Sequence, residues 1–127
     1  MPATAVQRTE QPDPARVLAK ATVRAAALLG LSGAALGRVI GLSPASISRV
    51  SAGEKSIAPG SKEGELAALL VRVYRSLDAL VGHDAAARVR WLSSYNDALR
   101  AVPGERLQSI QGLVEVVAYL DGMRAKN

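Results

Sequence analysis

The stretch "GLSPASISRVSAGEKSI", Gly41 to Ile57, gathers the groups of this 127-residue sequence best suited to recognition chemistry. Arg49 carries a planar guanidinium that can donate two parallel hydrogen bonds to guanine O6 and N7 in a major groove. Ser43, Ser46 and Ser48 bring hydroxyls for base edges or phosphate oxygens, and Ala45 is small enough to touch a thymine methyl. Arg38, just before the stretch, and Lys55, near its end, are expected on phosphates, where they set register without reading sequence.

Groups for catalysis are sparse. The sequence has no cysteine, which excludes disulfides, thiolate metal sites and cysteine nucleophiles. His83 is the only histidine; it follows Gly82 at an expected helix end, which suits a capping or surface role better than general-base work. One histidine without carboxylates at ligand spacing predicts no metal site, and no cofactor is expected. Glu63 and Glu65 lie two apart at a helix start, so their carboxylates diverge and favour the helix dipole. "GLSGAALG" lacks the Lys and Ser or Thr that a phosphate loop requires. Trp91 and Tyr95, four apart, read as a core or interface pair rather than a base-stacking platform.

The recognition groups need elements that hold them. Hydrophobic residues make up 49% of the chain and aromatics 3%, with no Phe, so the core is built from Ala, Val, Leu and Ile and the fold is expected to be all-α. A helix over 15–29 would turn Val17, Leu18, Ala21, Ala25, Leu28 and Leu29 to one side, and Gly30 would stop it. Ser32 then caps a short helix through Ile40, with Leu36, Val39 and Ile40 inward. Gly41 supplies a left-handed turn, Ser43 a second cap and Pro44 the first position of the next helix, which Ile47 and Val50 anchor. With Gly37 at the crossing, this spacing predicts a helix-turn-helix whose second helix enters a major groove by its N-terminal end. Charge agrees: residues 1 to 60 carry seven Lys and Arg against three Asp and Glu, whereas residues 61 to 127 carry nine against eight.

Three regions follow from the same pass: an arm over 1–14 rich in Pro, a helix-turn-helix region over 15–61, and a helical remainder over 62–127. In the last, a helix over 62–81 carries Leu66, Leu69, Leu70, Val73, Leu77 and Leu80, and Asp84 caps another through Leu92. "SSYNDALRAVPGERLQSIQG" reads as short helical turns joined by loops, and no strand pattern competes. On a final helix over 109–124, Leu113, Val117, Leu120 and Arg124 form one line and Val116, Tyr119 and Met123 another. So wide an apolar arc exceeds what one surface helix usually buries, so a second copy or another protein is expected to cover it, the alternative being a wholly internal helix. With no apolar leader and no run of roughly 18 apolar residues, a soluble cytoplasmic protein without membrane contact is expected.

The segments "VRVYRSLDALVG", "RWLSSYNDAL" and "VPGERLQSIQGLVEVVAYLDGMR" resemble the C-terminal toxin-binding domain of the Xre/MbcA/ParS-type antitoxins. "LGLSGAALGRVIGLSPASISRVSAGEKSI" is similar to the Xre-like helix-turn-helix that precedes it in that family. The resemblance implies a non-enzymatic, dimeric antitoxin that binds a RES-domain toxin, an enzyme consuming NAD, closes its active-site entrance and represses its own operon at operator DNA. It places Tyr119, Asp121, Met123, Arg124 and Lys126 where the toxin is met. A pocket built for an anionic dinucleotide would attract Arg124 and Lys126, which would equally complement the helix dipole. A plain dimeric repressor without a toxin, and an adaptor that binds only protein, are the alternatives.

Overall fold

A computed structural model describes residues 11–126, which form seven helices and no strand. In chain order these are α1 (Pro14–Leu28), α2 (Gly33–Ile40), α3 (Pro44–Ser51), α4 (Lys62–Leu80), α5 (Ala85–Ser93), α6 (Pro103–Arg106) and α7 (Ile110–Lys126). Most of the expected arm over 1–14 lies outside the described residues; Asp13 belongs to α1 as its cap.

Helix starts follow a local rule. Asp13, Ser32, Ser43, Ser61 and Asp84 each accept a hydrogen bond from a first-turn amide, at Ala15, Ala35, Ser46, Gly64 and Ala87 respectively. Each such cap satisfies an amide that has no partner within the helix and contributes about 1 kcal/mol.

The central element is α4, with α7 and α1 packed on it most extensively and α2 alongside. Leu70, Val73 and Leu77 of α4 and Leu113, Val116 and Leu120 of α7 have no exposed surface. Leu36, Val39, Ile40, Ile47, Val50 and Ile57 continue the same apolar cluster toward α2 and α3, so the two halves of the chain share one core.

Two expectations need correction. The wide apolar arc of α7 is largely covered from within, because α4 and α7 are long enough to pack along one another. Leu113, Val116, Val117 and Leu120 are all buried, and only Ile110 and Val114 of that helix remain as large exposed apolar groups. Val17 points outward, half exposed, while Thr22 is fully buried with its hydroxyl donating to the Leu18 carbonyl at 2.6 Å. That bond lets a polar residue take an inward position that an apolar-only pattern passes over. Between α5 and α6, where short helical turns joined by loops are expected, Asn96 and Ala101 add one isolated antiparallel bridge.

Candidate functional site

The turn between α2 and α3 is built by two glycines. Gly41 has φ 77°, and its amide and that of Leu42 both donate to the Gly37 carbonyl, at 2.8 and 3.0 Å. A side chain at Gly41 would meet nothing, but the left-handed backbone strains any L-residue with a Cβ. At Gly37 the limit is space: a Cβ would stand 2.7 Å from the Leu42 carbonyl oxygen. Close approach there lets Ile47 and Val50, each almost fully buried, fix α3 against the core.

What α3 presents follows from that anchoring. Ser43 and Ala45 are exposed at its N-terminal end, Ser48 follows on the outer side, and Arg49 is exposed in its last turn rather than at the N-terminal end. Ser43 is also the cap, accepting from the Ser46 amide at 3.2 Å, so its hydroxyl oxygen is partly committed. Ser46 departs from its expected reading role: it is buried, and its hydroxyl accepts from Lys55 Nζ at 3.4 Å, tying α3 to the loop that follows. Arg38 is exposed, yet its Nε donates to Gln108 Oε1 at 2.6 Å, which joins the helix-turn-helix to the C-terminal half and leaves its terminal nitrogens for other acceptors.

The expected partner residues at the end of α7 divide into two groups. Asp121 pairs with Arg72 at 2.5 Å and accepts from the buried Ser76 hydroxyl at 3.1 Å, and that same hydroxyl accepts from Arg124 at 3.2 Å. Thus α4 orients Asp121 and Arg124 in advance, and each has polar capacity left for a partner. Tyr119 is instead stacked on Trp91, with ring centroids 6.2 Å apart and planes at 22°. This replaces the expected Trp91 and Tyr95 pair: Tyr95 is 63% exposed. Met123 is half-buried and Lys126 is exposed at the tip.

Sequence reasoning passed over Arg88. Its side chain is 5% exposed, pairs with Asp78 at 2.7 Å, donates from Nε to the Leu28 carbonyl at 3.0 Å, and lies 5.4 Å from the centre of the Tyr74 ring. It therefore ties α5 to α1 and α4. Spacing offered the signal, since Arg88 falls four before the buried Leu92 on one line of α5. The Asp78 carboxyl is held below the usual carboxylate range, first by its hydrogen bond with His83 at 2.5 Å, then by Arg88, against the opposing effect of burial. His83 itself sits on the surface with φ 66°, ending the turn after α4. No helix among the described residues is long and apolar enough to cross a membrane.

Two family models match the chain. Residues 9–72 match the antitoxin Xre-like helix-turn-helix domain, and residues 76–126 match the antitoxin Xre/MbcA/ParS C-terminal toxin-binding domain. The two matches meet within α4, the helix that carries the shared core. No curated protein matches the chain.

Proposed function

The chain belongs to the Xre/MbcA/ParS-type antitoxins, a helix-turn-helix followed by a toxin-binding domain, and from that premise we propose the target and the control it exerts. The target is a RES-domain toxin that consumes NAD, neutralised by closing its active-site entrance; the control is repression of the chain's own operon. The RES assignment rests on the resemblance of the C-terminal segments.

The observation that carries the DNA half is the set of exposed groups on α3 beside a capped turn: Ala45, Ser48 and Arg49 along one side, with Arg38 and Lys55 on the flanks. One such module makes few base contacts, so operator binding is assigned to a homodimer on a two-fold site. Toxin contact is assigned to Tyr119, Asp121, Met123, Arg124 and Lys126. The network of Arg72, Ser76, Asp121 and Arg124 supports this, because ordering side chains beforehand lowers the entropy cost of association.

The test is co-expression with the protein encoded beside this chain, expected to be the RES-domain toxin, followed by size-exclusion chromatography and operator gel shifts. Truncation after Leu120 is expected to lose the complex and keep the shift; Arg49→Ala is expected to lose the shift and keep the complex. A wild-type chain that shifts the operator but forms no complex would leave a plain repressor.

A further inference from the structure

A pocket of about 300 Å³ opens between the end of α4 and the outer side of α5, lined among others by Val81, Ala87, Arg90, Trp91, Tyr95 and Asn96. Its apolar wall is Val81, Ala87 and Trp91, and a cation and a carboxamide stand beside it. Tyr95 lines it while 63% exposed, the most exposed of the large apolar side chains among the described residues. A tyrosine so placed adds little to the chain's own core. Trp, Tyr and Arg at the edge of one small depression are the residue types that most often carry binding energy in protein interfaces.

Two observations commit the pocket to one occupant. Every lining residue lies within 76–126, the span that matches a toxin-binding domain. Trp91 also forms a shared wall: it lines the pocket and stacks on Tyr119, which belongs to the α7 surface assigned to the toxin. The pocket therefore continues that surface onto α5. We infer that the toxin seats an apolar or aromatic side chain in the pocket beside Trp91 and Tyr95, with a carboxylate or carbonyl of the toxin on Arg90. This rests on the toxin reading and extends it to a second contact area, remote in sequence from the end of α7.

The experiment uses the full chain and the purified protein encoded beside it as the proposed toxin, with binding read by calorimetry. Ala87→Glu fills the pocket without unsettling α5, because Ala87 lies in the first turn after the Asp84 cap, where a carboxylate favours the helix dipole. Tyr95→Ala removes the exposed ring at the edge of the pocket, and the melting temperature of each variant alone reports its folding. Each substitution is expected to weaken the complex about tenfold or more while operator shifts stay at the wild-type level. Wild-type affinity in both variants would overturn the pocket assignment and leave the toxin reading standing. No complex with the wild-type chain would overturn both. A change in the oligomeric state of the Tyr95→Ala chain by itself would overturn it in favour of a second copy as the occupant.

Discussion

Arg38 on α2 donates from Nε to Gln108 Oε1 at 2.6 Å across 70 residues of sequence, so a cation proposed to meet phosphate is held by the segment that leads into α7. The bond is exposed, and its net worth is about 1 kcal/mol or less. Gln108→Ala is therefore expected to shift the denaturation midpoint only slightly and to leave operator affinity intact. Arg38→Ala should instead reduce the slope of log affinity against log salt by about one, as loss of one phosphate contact does. An unchanged slope would remove Arg38 from the DNA surface.

Gly37 is expected to tolerate no side chain. In Gly37→Ala the new methyl carbon would meet the Leu42 carbonyl oxygen at 2.7 Å, and a backbone oxygen yields only if the turn moves. A loss of about 1–3 kcal/mol in urea denaturation follows, with operator binding weakened because α3 is displaced.

Arg49→Ala should leave stability within about 0.5 kcal/mol, since the side chain is exposed. Competition between the operator and a sequence with one guanine changed is expected to show discrimination falling by about 1–3 kcal/mol at that position. Equal loss on every sequence would make Arg49 a phosphate contact.

Arg88→Ala should be among the most damaging single changes. It leaves Asp78 and the Leu28 carbonyl without their buried partner, at a cost of about 3 kcal/mol by chemical denaturation. Arg88→Lys is expected to recover only part, because one ammonium cannot serve both the carboxylate and the carbonyl in the same plane.

Acid sensitivity should centre on Asp78. Its folded-state affinity for a proton is reduced, so the unfolded chain takes up the proton first as pH falls. The stability it contributes is present above the ordinary aspartate range and lost as pH drops through the lower folded value. Denaturation midpoints between neutral pH and pH 2 are expected to fall less steeply for Asp78→Asn than for the wild type; parallel curves would contradict this.

Much of the recognition unit was legible because its determinants are local. Ser32, Ser43 and Asp84 each act on the amide three residues away, and Gly41 turns its own backbone, so spacing alone located the helix ends. What spacing hid were pairings between residues remote in sequence. Trp91 found Tyr119 rather than its helical neighbour Tyr95, and Arg88 found Asp78 and Leu28. Ser46 looked like a surface serine because nothing in its neighbourhood revealed that Lys55 would return to it. The width of the apolar arc on α7 was read correctly, but arc width does not state how much of it one long neighbour covers, and α4 covers most of it.

Cellular NAD gives the most direct measurement, taken in cells that produce the proposed RES-domain toxin together with wild-type chain, Arg49→Ala, or the chain truncated after Leu120. Neutralisation by the C-terminal domain predicts that NAD stays at the toxin-free level with the first two and drains with the third. NAD that drains equally with all three, or stays level with the truncated chain, would contradict it.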